Sequence, residues 1–203
     1  MADKQPVSAS RRDIFKLGAF GLGAGASAAM FPGFAAAGPG DDLPVPDTSW
    51  DYFLKIGTIQ GDSLDERYPK WIPLLSWDWG ASVAYSTGGT GASVGKARPK
   101  PFKFLCYTGK HTPPMFTQMT HGSVVGTVKF AAQAPGSGFA PWTLEFNKAF
   151  LTEYENFPFT QNGSPLDMAQ FEFQKVTMTY TPQLPTGQAG TPIVSTFDFA
   201  AQR

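Results

Sequence analysis

From residue 51 onward, apolar and polar positions alternate in short runs, the two-residue period of strands with one buried face. Asp51-Tyr52-Phe53-Leu54-Lys55-Ile56 sets Tyr52, Leu54 and Ile56 on one side, and Gly57 to Asp62 supplies a turn. Ile72 to Trp79 sets Leu75, Trp77 and Trp79 against Ser76 and Asp78, and Ser82 to Tyr85 continues the strand beyond Gly80. Ser86 to Gly95 has almost no bulk and predicts a mobile loop. Lys100 to Tyr107 resumes with Phe102, Phe104 and Cys106 on one face, and further strands are predicted at Ser123 to Phe130, Trp142 to Leu151, Phe171 to Thr181 and Ser195 to Phe199. Between Phe171 and Thr181 the apolar positions change phase, from Phe171 and Phe173 to Val176, Met178 and Tyr180, which implies a bulge or a bend between two sheets. One short helix is expected, with Thr112 as N-cap, Pro113 in the first helical position, and Met115, Phe116 and Met119 facing the core. About seven strands and one side helix predict a mainly β fold, a small antiparallel β-barrel or sandwich.

The chain before residue 51 breaks this pattern. Residues 17 to 31 are weakly apolar, carry Gly18, Gly21, Gly23 and Gly25, and are followed by Pro32. They fall short of the ~20 strongly apolar residues of a spanning helix, so no permanent membrane anchor is expected. A basic start, a short apolar stretch and Ala35-Ala36-Ala37 before Gly38 form a targeting segment with an A-x-A cleavage pattern at Ala35 and Ala37. Ser10, Arg11, Arg12 and Lys16 resemble the twin-arginine signal S-R-R-x-F-L-K, with Ile14 and Phe15 as apolar substitutes. That reading implies the twin-arginine translocase as a partner and export of the folded chain to the periplasm or the extracellular space. Residues 1–37 are then the signal, 38–50 (GPGDDLPVPDTSW) a flexible linker, and 51–203 the domain.

Charge and chemistry narrow the function. Removing residues 1–37 takes four of the 16 basic and two of the 16 acidic side chains, leaving 12 against 14, a net of −2. Without clustered Lys and Arg to displace counterions, no nucleic-acid partner is expected. The single cysteine, Cys106, rules out an internal disulfide and reads as a small buried hydrophobe. His111 and His121 match neither H-x-x-x-H nor any C-x-x-C spacing, so they read as ordinary surface or loop histidines and no metal or cofactor is expected. A Cys106–His111 nucleophile pair is close in sequence, but Cys106 lies inside a strand. Asp62, Asp65, Glu66, Glu153 and Glu155 read as solvated charges rather than acid–base pairs; Trp71, Trp77, Trp79 and Trp142 could form a sugar platform, but Trp77 and Trp79 alternate with Ser76 and Asp78 and read as core.

The order of motifs resembles that of the Hcp (hemolysin-coregulated protein) family, the tube protein of type VI secretion systems. Phe53-Leu54-Lys55-Ile56, Gly61-Asp62-Ser63-Leu64-Asp65 and Leu75-Ser76-Trp77-Asp78-Trp79-Gly80 are similar to its "FLKI", "G-x-S-x-D" and "LSWSWG" blocks. Phe102-Lys103-Phe104 and Thr112-Pro113 resemble its "F-x-F-T-K" strand and Ser-Pro helix start, and Phe173-Gln174-Lys175-Val176 and Tyr180-Thr181-Pro182-Gln183 its "F-x-K-V" and "Y-x-P-Q" endings. The resemblance implies a barrel-like protomer, six copies in a ring, rings that stack into a hollow tube, lumenal cargo or effector proteins as partners, and no catalysis, metal or cofactor. Two features depart from it. Cys106-Tyr107-Thr108-Gly109-Lys110-His111 lacks the Lys and Asp usual before the helix, and tube-forming members ordinarily carry no leader. Alternatives from other classes are a monomeric exported module binding sugar or envelope polymer, and a hydrolase using Asp65, Glu153 and Glu155.

Overall fold

The computed structural model describes residues 50–86, 93–134, 137–158 and 164–203. The leader residues Ser10, Arg11, Arg12, Lys16, Ala35 and Ala37, most of the linker, and the centre of the glycine-rich loop lie outside the described residues.

Among the described residues ten strands and one helix follow in the order β1 (Asp51–Ile56), β2 (Ile72–Asp78), β3 (Ala81–Ser86), β4 (Ser93–Pro99), β5 (Phe102–Tyr107), α1 (Thr112–Thr120), β6 (Gly126–Gln133), β7 (Trp142–Pro158), β8 (Pro165–Glu172), β9 (Lys175–Tyr180) and β10 (Ile193–Asp198). Six of them close on themselves: β1 pairs β2, β2 pairs β5, β5 pairs β8, β8 pairs β7, β7 pairs β6, and β6 returns to β1, all antiparallel. Closure removes the edges an open sheet would leave. Strands β9 and β10 extend outward from β7, and β3 and β4 form a separate two-stranded hairpin.

The barrel closes because β7 is long enough to serve two partners on one edge. Its residues 142–147 pair with β9 and its residues 150–158 with β8. Between these spans Lys148 adopts φ 54, which turns the strand. Opposite it, β8 and β9 are separated at Phe173 and Gln174, whose N–H donates to the Asn147 carbonyl at 3.1 Å. The phase change expected between Phe171 and Thr181 is this corner: the chain leaves β8, drops Phe173 into the core at 6% exposure, and resumes along the same edge with Val176 inward at 2%.

Apolar side chains of alternate positions fill the barrel. Phe102, Phe104, Phe130, Phe146 and Phe171, with Leu54, Ile56, Ile72, Val128 and Leu144, are almost completely buried. Phe102 lies at the middle, 5.0 Å from Phe171, 5.2 Å from Phe146 and 5.5 Å from Phe130 between ring centroids. Trp77 stacks on Phe102 with 3° between planes, and Trp79 sits edge-on to Phe146, so both tryptophans close the core as the alternation predicted. Each buried large apolar side chain contributes roughly 1.5–3 kcal/mol of burial free energy.

Several expectations are corrected. In β2 a register shift between Leu74 and Ser76 makes Leu74, not Leu75, the buried residue beside Ile72, while Trp77 keeps its inward face. Phe53 is buried opposite Leu54, because Tyr68 stacks on its outer side at 4.7 Å. Ser86 and Ser93 to Gly95, expected in the loop, instead belong to the paired strands β3 and β4. Strand β7 runs seven residues beyond Leu151. The helix is nine residues long with His111 as its N-cap, and that cap is not made by a side chain. Thr112 instead accepts the Gly109 N–H and donates to Asp167, so its hydroxyl is spent on tertiary contacts. Met115 is buried and Met119 partly so, whereas Phe116 is half exposed and lies edge-on to Tyr154.

Candidate functional site

Two kinds of feature could carry function: a buried polar cluster and the exposed edges. The cluster forms where β5 ends and α1 begins. Cys106 is the last inward residue of β5, and a short turn brings His111 back so that its Nε2 lies 3.3 Å from the Cys106 sulfur. β8 pairs beside β5 with Cys106 opposite Asp167, adding a buried carboxylate to the pair. Asp167 accepts hydrogen bonds from Thr108 Oγ1 and Tyr154 OH at 2.9 Å, from Asn156 Nδ2 at 2.7 Å, and from Thr112 Oγ1. On the other side of the imidazole, His111 Nδ1 faces Asp62 Oδ2 at 3.8 Å.

His111 is therefore not a surface histidine: it is 1% exposed. Burial favours its neutral form and lowers its pKa from 6.5, against the opposing pull of Asp167 and Asp62. The same burial, reinforced by Asp167, pushes the Cys106 thiol well above its ordinary range. Sulfur, imidazole and Asp62 follow the order of a Cys–His–Asp relay, but the thiol is completely buried and held protonated. It lacks the thiolate character and the access that nucleophilic attack needs.

The other candidate residues are dispersed into structural roles. Asp65 Oδ1 accepts the N–H groups of Arg67 and Tyr68, and Asp62 pairs with Lys110 at 3.3 Å. Glu153 and Glu155 lie on the β8-paired half of β7, opposite Gln170 and Met168. His121 closes the end of α1, its N–H donating to Thr117 O. Trp71 packs edge-on to Tyr68 at 5.0 Å, and the two border a shallow groove of about 250 Å³ with Lys129, Glu145, Thr177 and Thr179. Trp142 is partly buried against the core. Sequence reasoning missed Asp167, Tyr154 and Asn156. Asp167 stands in a stretch whose strand pairing, not its local pattern, brings it beside residues about sixty positions away.

The exposed edges are the second feature. β10 pairs only through β9, and its side chains Ile193 and Val194 are 65% and 59% exposed. On the β3–β4 hairpin Val83, Tyr85 and Val94 also face solvent. The hairpin is tied down at its base by the Gln202 amide, which accepts the Ala97 N–H at 3.0 Å and donates to the Ala97 carbonyl at 3.2 Å.

This mainly β fold, a closed barrel with a side helix, is similar to that of known proteins. The sequence profile of the family described as "Type VI secretion system effector, Hcp" matches residues 53–180. The chain belongs to the Hcp family. Among solved structures, one described as a type six secretion system protein superposes with a TM-score of 0.72 at 21% identity, covering 76% of this chain and 98% of that one. Hcp1 from Salmonella typhimurium gives 0.61 at 21% identity, over 75% of this chain and 97% of that one. A type VI secretion system effector from Yersinia pestis gives 0.58 at 24% identity, over 72% and 98%. No curated protein matches the chain in sequence. The Hcp-like β-barrel expected from the motifs is the observed fold.

Proposed function

We propose that this Hcp-family protein is a non-enzymatic ring former whose copies join edge to edge into a hexamer and stack into a type VI secretion-type tube. Family membership makes it a structural tube protein. The observation that carries the finer reading is the contrast between a closed, filled barrel and the uncovered β10 edge and hairpin. A barrel packed with phenylalanine offers no interior site for a substrate, whereas unpaired backbone groups and exposed Ile193, Val194, Val83 and Tyr85 recruit a neighbour. A hollow ring would give cargo proteins a lumen.

Residues 1–37 serve in this proposal as a twin-arginine signal read by its translocase, with Arg11 and Arg12 essential and cleavage after Ala37, and residues 38–50 as a linker to the domain of 51–203. The support is the motif at Ser10, Arg11, Arg12 and Lys16 and the Ala35-Ala36-Ala37 stretch. Among the described residues no helix is long and apolar enough to cross a membrane. The groove beside Tyr68 and Trp71 favours a second reading, a monomeric sugar-binding module. Electron micrographs of the purified chain separate the two. The proposal expects annular particles with a central hole; a uniform field of single small particles contradicts it.

A further inference from the structure

The buried cluster at the β5–α1 turn gathers three metal-ligating side chains. The ligating atoms of Cys106, His111 and Asp167 lie within 4.8 Å of one another, and all three residues are buried. His111 Nε2 faces Cys106 Sγ at 3.3 Å and Asp167 Oδ2 at 4.0 Å. Tetrahedral zinc, with bonds of about 2.0–2.3 Å, spaces its ligand atoms by roughly 3.3–3.7 Å, so closure needs side-chain shifts of about an ångström.

The surroundings have the arrangement that supports such an ion. A metal-binding histidine turns its second ring nitrogen to a carboxylate, and a ligating carboxylate is itself anchored by hydrogen bonds. Here His111 Nδ1, buried and without a hydrogen bond, faces Asp62 Oδ2. Asp167 Oδ1 is held by Thr108, Tyr154 and Asn156, which leaves Oδ2, contacted by Thr112, turned toward His111.

We propose that Cys106 Sγ, His111 Nε2 and Asp167 Oδ2 bind one divalent cation of the zinc class, with Asp62 orienting the imidazole, Thr112 Oγ1 anchoring the carboxylate and a water in the fourth position. A thiolate with an imidazole selects a borderline-soft ion over calcium or magnesium. Binding converts the thiol to a thiolate and releases its proton, while the carboxylate and neutral imidazole release none. Apparent affinity therefore rises about tenfold per pH unit as long as the free thiol is protonated.

Cobalt(II) titration of the chelator-stripped full chain tests the site. The expected result is saturation at one equivalent, with a thiolate-to-cobalt charge-transfer band and tetrahedral visible bands that zinc(II) bleaches. Cys106→Ala should lose the charge-transfer band, Asp167→Asn should weaken binding at least tenfold, and His121→Ala should change neither. The absence of a saturable charge-transfer band in the wild-type chain overturns the proposal, as does a band that survives Cys106→Ala or vanishes with His121→Ala. Should a variant fail to fold, the wild-type spectrum still decides, because that band requires a thiolate and the chain has one cysteine.

Discussion

Phe102 contacts the rings of Trp77, Phe104, Phe130, Phe146 and Phe171 and is fully buried, so its removal leaves a hole that five aromatic neighbours cannot fill by rotation. Phe102→Ala should cost about 3–5 kcal/mol and lower the urea midpoint accordingly. An unchanged midpoint would mean that the barrel interior repacks freely. The polar cluster answers to pH instead. His111 has its pKa lowered by folding, so its neutral form contributes stability that is present above 6.5 and is lost as pH falls below it. Tyr154 is shifted the other way, from 10.0 to about 12, chiefly by burial and by its hydrogen bond to Asp167, so its contribution is present below 10.0 and lost as pH rises toward about 12. Urea midpoints across pH should fall on both sides, with His111→Gln flattening the acid limb and Tyr154→Phe the alkaline one. Limbs that these variants leave unchanged would contradict the assignment. At this scale the alternation identified Phe102, Phe104 and Cys106 as one inward face. It could not identify His111 as buried, because Asp62 and Asp167 come to it from loops and strands distant in sequence.

Strand β7 organises the elements, since its single edge receives β9 and then β8 across the turn at Lys148. The phase change after Phe173 announced that corner, because a side chain that must stay inward on both sides of a break shifts parity in the sequence. The hairpin was less legible. Val94 to Pro99 present no buried face, and a strand without one has no alternation to read. The loop from Gly57 to Trp71 depends on close backbone approach: a Cβ on Gly61 would collide with the Trp71 carbonyl, and the Gly61 N–H bonds to Lys70 O at 2.7 Å. Gly61→Ala should therefore destabilise by about 1–3 kcal/mol, read in thermal melts, where a neutral outcome would show that the loop moves freely. Gln202→Ala removes both bonds to Ala97 and should speed amide exchange in β3 and β4 while leaving β1, β5 and β6 protected. Uniform exchange would remove the latch.

For the whole molecule, the proposal assigns association between copies to the uncovered β10 edge and the β3–β4 hairpin. The motif order made the family legible from residue 51 onward, and the profile match over 53–180 bears it out. Ring size lies outside what one chain encodes locally, because it is set by the angle between neighbours across the seam. The most direct measurement is the native mass of the purified protein at micromolar concentration. The account predicts six times the mass of the chain, falling to single copies when charges are introduced into the β10 edge at Ile193 and Val194. A persistent monomer contradicts it.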